Sequence, residues 1–413
     1  MRSSPQEGKT LADPIELYDT GEHRVRELET IEPDRVRLYV CGISVSGPPH
    51  VGHGRSYVIF DVLRRVLEHA GYEVDHVQNF TDVEHAIMKR AEKRGLEPLA
   101  YAEQMIEAYF DAMDRIAIKR ADRFPRVTDY IDDIIDATRT LEDHECAYEI
   151  DDGVAFRICD VEGFGTLLGK VPADAVVHEV PEEQWNGRET PFDFIVWRNT
   201  DDLGVTWKTS FGEGRPGWHT ECAVMANDLL GETIDIHGGG ADLVFPHHEC
   251  ERAIARCLSD GEFANYWVHN GLVTLDEEKM SKSLRNSVPL SGAIDDHGPA
   301  QVRLAYLSED YRETMEWNDA RLADADERVQ ALHDALQEAA EGTPAGAAAE
   351  LRDEAIGALR SNLDFPAALE ALDTVGQQHT DAPGARQALI EVLDVLGLAE
   401  LEPFASEVGS DDP

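Results

Sequence analysis

Val36, Leu38 and Val40 alternate with Arg37, Tyr39 and Cys41, the two-residue period of a half-buried strand. The chain then turns through Gly42 to Pro49 into a pattern whose apolar positions are Val58, Ile59, Val62, Leu63, Val66 and Leu67. Their three- and four-residue spacing marks one helix face, which Gly71 closes. The patterning then predicts a strand over 74–80 and helices over 84–94, 101–116 and 129–141, an alternation that implies a parallel sheet. Short strands and turn residues such as Asp151-Asp152-Gly153 and Asn186-Gly187 set 145–205 apart as an insertion. The strand-helix pattern resumes with a strand over 233–237, a turn at Gly238-Gly239-Gly240 and a helix after Pro246. Beyond Pro299 the pattern is helical, over 300–307, 318–340, 347–363, 366–378 and 385–396, and no internal repeat occurs.

These elements predict an α/β protein: a Rossmann-like parallel sheet split by an insertion and followed by a C-terminal α-helical bundle. The expected division is an N-terminal extension (1–35), the first half of a nucleotide-binding domain (36–144), the insertion (145–205), the second half (206–298) and the bundle (299–413).

Charge changes this picture less than its size suggests. With 82 acidic and 37 basic side chains the formal net charge is -45, which at low ionic strength would repel nucleic acid and strain the fold. In roughly molar salt the Debye length falls to about 3 Å, so the acidity reads as adaptation to a salty cytoplasm and not as exclusion of an anionic partner. Disorder does not fit, because 42% of the residues are apolar and the periodic segments are long. No run of about 18 apolar residues and no apolar signal core occurs, so a cytoplasmic protein without membrane contact is expected, taken as a monomer. Six scattered cysteines suggest reduced thiols, some on metal, over a disulfide framework.

Only eight of the 37 basic residues are lysine, and two of them, Lys279 and Lys282, stand in the segment KMSKS. Compact, flexible ammonium groups so placed suit a polyphosphate whose charge shifts during reaction. HVGH at 50–53 lies where the first strand hands over to the first helix. Helix N-termini favour anions; His50 and His53 would add donors there, and Gly52 would let the backbone approach. Asp242, after the glycines, suits ribose hydroxyls, although a capped Gly-rich turn is the plainer reading. Cys41, Cys222 and the pair His247 and Glu251, four apart on one helix face, suit zinc, and read equally well as packing cysteines and a capping histidine.

The pair HVGH and KMSKS resembles the signature of class I aminoacyl-tRNA synthetases. Its surroundings resemble the cysteinyl branch: LYVCG at 38–42, FDVLRR at 60–65, QNFTDV at 78–83, GRPGWH at 214–219, HGGG at 237–240, FPHHE at 245–249 and HNG at 269–271. The resemblance implies a class I synthetase-type fold, ATP with Mg²⁺ as substrate and activation of L-cysteine for tRNA. It implies catalytic roles for His50, His53, Lys279 and Lys282, and ATP binding by Gly52, His237, Gly239, Asp242, Met280, Ser281 and Ser283. It implies a cysteine pocket lined by Thr81 and Trp218, and one zinc on Cys41, Cys222, His247 and Glu251. A soft ion would select a thiol over the near-isosteric hydroxyl of serine, which pocket shape separates only about a hundredfold.

Departures from that family are Arg285, where its loop carries glycine, and Glu84-His85, where an acidic pair is usual. About 130 residues follow Ser283, so no separate anticodon-binding unit is evident. This feature, Cys41-Gly42-Ile43, His53 and Trp317 also resemble the sister cysteine ligase of mycothiol synthesis, which passes cysteine to a small amine, whereas Glu251 favours the tRNA enzyme. An inactive zinc-binding regulatory paralogue would be expected to lose one of the two intact motifs. For a tRNA acceptor, the bundle's Arg303, Arg321, Arg328, Arg352 and Arg360 are expected to meet phosphates.

Overall fold

The computed structural model describes residues 14–158, 163–169, 187–200, 204–259, 261–275, 278–279 and 287–408. The chain opens with an antiparallel hairpin, β1 (Glu16–Asp19) and β2 (Arg24–Glu27), before β3 (Arg35–Ser44), α1 (Val51–His69) and β4 (Glu73–Thr81). Helices α2 (His85–Arg94), α3 (Pro98–Asp114) and α4 (Ile131–Asp143) follow. Strands β5 (Ala147–Ile150), β6 (Gly153–Phe156), β7 (Phe194–Asn199), β8 (Trp207–Thr209) and β9 (Gly212–Pro216) form one antiparallel sheet in the order β5-β6-β7-β9-β8. That sheet therefore runs past residue 205. Next come α5 (Trp218–Leu230), β10 (Ile234–Gly240), α6 (Glu249–Leu258) and β11 (Ala264–Asn270).

The central sheet is parallel, in the order β11-β10-β3-β4, so its two middle strands come from opposite sides of the insertion. Gly238, Gly239 and Gly240 extend β10 instead of forming the expected turn: each pairs with β11, opposite Val268, His269 and Asn270. A bulge between Val40 and Ile43 turns the end of β3, and Gly42 within it donates its N–H to the Asn79 side chain at 2.8 Å. The apolar face foreseen for α1 is buried throughout. The hairpin was not foreseen because β2 is mostly exposed and shows no apolar alternation. It is not a loose extension, since Leu17 is buried and Thr20 N–H bonds the Trp267 carbonyl of β11 at 2.8 Å.

After β11, β12 (Val273–Leu275) pairs with β13 (Glu278–Lys279) and with the later β14 (Met315–Glu316). The unforeseen α7 (Leu290–His297) precedes α8 (Pro299–Leu307), and the bundle continues as α9 (Asp319–Glu338), α10 (Ala347–Arg360), α11 (Phe365–Gln378) and α12 (Ala385–Val395).

The bundle arginines correct one expectation. Arg303 is fully buried: it pairs with Asp61 of α1 and donates to the Leu396 and Ile116 carbonyls at 2.7 and 2.8 Å. Arg65 joins the same Asp61 at 2.9 Å, so one carboxylate, held in its charged form by two guanidinium groups, clamps α1 to the bundle. Arg321 is paired with Glu309 at 2.6 Å, Arg328 with Asp373 at 3.0 Å and Arg352 with Asp353 at 2.7 Å, while Arg360 reaches the His69 ring at 3.4 Å. Of the five, Arg303 is withdrawn from any phosphate by burial, whereas Arg321, Arg328, Arg352 and Arg360 are half-buried with local contacts.

Candidate active site

The carboxyl ends of β3 and β10 and the start of α1 surround a cleft, where a parallel sheet places ligands. Gly42, Ser44, His50, His53, Trp218 and Asp242 are among its walls. His50 is the N-cap of α1: its Nδ1 accepts the Gly52 N–H at 3.2 Å, and His53 Nδ1 accepts the His50 N–H at 3.2 Å. The two rings stack with centroids 3.7 Å apart. Both imidazoles are thus fixed at a helix N-terminus, pointed toward the space that anions favour. Gly52 lies between them on the cleft wall.

Cys41, Cys222, His247 and Glu251 meet at one edge of this cleft, with one ligand atom from each inside a span of 4.8 Å, all buried. Cys41 comes from the bulged end of β3, Cys222 from the first turns of α5 and Glu251 from α6. His247 stands in the irregular turn Val244–His248 that leads into α6, so the pair is set by a kinked entry and not by one regular helix. His247 Nε2 lies 2.7 Å from Glu251 Oε1, and Cys41 Sγ is 3.4 Å from the same oxygen. A hydrogen bond from Cys41 draws the Cys222 thiol down to about 6, against the effect of burial, while burial pushes Cys41 well up. Burial opposes the charge on His247, yet Glu251 and Cys222 lift it to about 10. Two thiols, an imidazole and a carboxylate, all buried together, form a soft donor set that fits a divalent metal ion.

Trp218 is 46% exposed and stacks on His247 with centroids 4.2 Å apart, joining the metal-ligand cluster to the cleft. Thr81 is buried, and its hydroxyl donates at 3.1 Å to Glu221, the residue beside Cys222. His237 departs from its expected place on ATP. Its ring is fully buried behind the cluster, with Nε2 3.0 Å from Glu251 Oε2 and stacked on Tyr39. Gly239 is bare because a Cβ there would lie 2.9 Å from the His248 ring. Lys279 ends β13, while Met280, Ser281, Lys282, Ser283 and Arg285 lie outside the described residues.

Three further histidines went unsingled in the sequence. His219 Nδ1 backs His247 Nδ1 at 2.9 Å, and His248 Nδ1 contacts His269 Nε2 at 2.8 Å, whose Nδ1 meets Thr20 Oγ1 at 2.9 Å. Burial holds His219 and His269 down near 3, so both are neutral. Their signal was present: each falls inside a motif already quoted, GRPGWH, FPHHE or HNG.

Solved structures share this architecture. Mycobacterium tuberculosis methionyl-tRNA synthetase in complex with methionyl-adenylate superposes with a TM-score of 0.64 at 17% identity, covering 91% of this chain and 93% of that one. The ternary complex of Agrobacterium radiobacter LeuRS with tRNA and LeuAMS gives 0.58 at 13% identity, covering 93% and 87%. The fold is therefore that of class I aminoacyl-tRNA synthetases. Residues 27–327 match the family of tRNA synthetases class I (C) catalytic domains, and to that cysteinyl family the chain belongs. It is 41% identical over 308 residues to the cysteine--tRNA ligase of Thermococcus kodakarensis, across 75% of this chain and 64% of that relative. With the same enzyme of Dehalococcoides mccartyi it shares 41% over 323 residues, across 77% and 70%. The chain thus spans less than two thirds of the length of the Thermococcus relative.

Proposed function

We propose that the protein is a ligase that activates L-cysteine with ATP and Mg²⁺ to cysteinyl-adenylate and transfers it to the 3′ end of cysteine tRNA in the cytoplasm. The observation that carries this reading is the buried set Cys41, Cys222, His247 and Glu251 at the edge of the HVGH cleft. Zinc held there would bind the substrate thiol as thiolate, a contact that a serine hydroxyl cannot replace. Trp218 covers the approach to that set, and Asp242 across the cleft accepts the adenylate's ribose or the substrate ammonium. Gly52 and the bare end of β10 admit the nucleotide; His50 and His53 donate to its phosphates from one side. Lys279 and Lys282, with Met280, Ser281 and Ser283, neutralise the pyrophosphate as it leaves.

Pyrophosphate exchange into ATP tests this: it should depend on cysteine and not on serine. Lys282→Ala should lower kcat by about 3 kcal/mol of barrier, roughly a hundredfold, with little change in the KM for cysteine. An equal loss in ground-state binding would remove Lys282 from the transition state.

A second acceptor, a small amine, is favoured by one observation: Arg303, among the bundle arginines expected to meet tRNA phosphate, is fully buried against Asp61. Charging of cysteine tRNA in high salt, set beside amide formation with an amino sugar, separates the two. Amide formation without any aminoacylation would move the assignment to the amine.

A further inference from the structure

We propose that Cys41 and Glu251 anchor two metal positions, and that the second, completed by His237 and His248, takes a borderline divalent ion such as zinc, cobalt or cadmium. The inference rests on the metal reading of the first four ligands and adds a site to it. Cys41, His237, His248 and Glu251 also bring one ligand atom each within 4.8 Å of one another, and all four are buried.

The carboxylate of Glu251 is divided between the two sets. Oε1 faces His247 Nε2 at 2.7 Å, whereas Oε2 faces His237 Nε2 at 3.0 Å, and that imidazole nitrogen stands 3.6 Å from Cys41 Sγ. A carboxylate offering each oxygen to a different imidazole has the arrangement by which one side chain bridges two ions, typically about 3.5–4 Å apart. The thiolate of Cys41 is the second shared donor.

His248 supplies the independent observation. Its Nδ1 is engaged by His269, which rests on Thr20, while its Nε2 is fully buried with no hydrogen-bond partner. An imidazole held by one nitrogen with the other left open is how ligating histidines are presented. His247, backed by His219, is held the same way. A buried polar atom left unsatisfied is costly, and coordination would relieve that cost. Strand β10 is built around that ring, because a Cβ on Gly239 would come within 3.1 Å of His248 Nε2. The contact of His237 Nε2 with Glu251 accounts for that nitrogen alone and leaves His248 Nε2 unexplained, while His237 Nδ1 is buried without a partner.

Charge points the same way. Deprotonated Cys41, Cys222 and Glu251 outweigh a single dication by one charge, and a second ion reverses that excess before the anionic substrate thiolate arrives. The second position is enclosed by protein, so it shapes the shared thiolate and does not meet substrate.

The test is metal stoichiometry on the full chain in its working salt. Chelator-stripped protein is titrated with Co²⁺, and bound metal and visible absorption are followed. The expected result is two equivalents per chain, the second weaker, falling to one in His248→Ala and in the size-conserving His248→Gln, with the first site's cobalt-thiolate band retained. Retention of that band shows that the variants are folded. Saturation of the unmodified protein at one equivalent, unchanged in both variants, overturns the second position and leaves the single-metal reading intact. No bound metal at all overturns both.

Discussion

A methyl group added at Gly42 would sit 1.5 Å from the Asn79 carbonyl oxygen, so the bulge that aims Cys41 tolerates only a bare backbone. Side-chain chemistry is equally constrained at His76, which is 4% exposed with neither ring nitrogen bonded. Burial, helped by nearby Arg64, pulls it down to about 4. A group depressed from about 6.5 in the unfolded chain contributes stability that is complete above that value and is lost as pH falls through the folded value. The expected loss between pH 7 and 4 is about 3 kcal/mol, and His76→Phe should remove that share of the slope in denaturant melts at each pH. A parallel loss in both proteins would mean that His76 is already charged. The four metal-ligand residues could be named because the family resemblance chose between two readings that their types and spacing left open, and folding brings them together. Thr81 and His237 were assigned by resemblance, and only the fold shows Thr81 bonded to Glu221 and His237 buried behind the cluster. His219, His248 and His269 act through contacts that only folding creates.

Among elements, α1 does the most positioning. Its first turn carries His50 and His53, and Arg55, fully buried one turn on, donates to the carbonyls of Gly271, Leu272 and Asp310 at 3.1, 2.9 and 3.2 Å. The first two carbonyls lead into β12 and hence to the strand that ends at Lys279, and the third precedes β14. One guanidinium therefore fixes the HVGH helix to the base of the KMSKS segment. Arg55→Lys keeps the charge but cannot span three acceptors. Loss of about 1.5–3 kcal/mol of charged hydrogen bonding should lower the kcat of exchange by roughly ten- to a hundredfold, with bound zinc unchanged. Loss of zinc in step with kcat would show general unfolding instead. The long elements, α1, β3, β4 and the bundle helices, were readable because each shows many turns or alternations of one period. The short pieces β2, β12 and β14 have too few residues to show a period, and only their partners make them strands.

Over the whole molecule, a net charge of -45 is laid over many local ion pairs, most of them partly exposed and each worth little in water. Screening weakens those pairs slightly and weakens the net repulsion much more. The melting temperature should therefore rise steadily from 0.1 M toward roughly molar KCl, where the Debye length is about 3 Å. A flat or falling curve would show that acidity does not govern stability. Among the described residues no helix is long and apolar enough to cross a membrane.

The central sheet has a consequence in time. Leu38 of β3 pairs with Ile236 of β10, about 200 residues later, whereas β3 and β4 are near neighbours in the chain. During synthesis at roughly 5–20 residues per second, β3 waits on the order of 10–40 s with one edge open while the inserted sheet is made. Nascent chains halted before residue 234 should leave β3 open to protease, and chains halted well beyond β11 should not. Equal resistance in both would mean that the early strands are covered by something other than β10. During that interval the acidic side chains serve the unfinished polypeptide, keeping one exposed strand edge from finding another on the next ribosome.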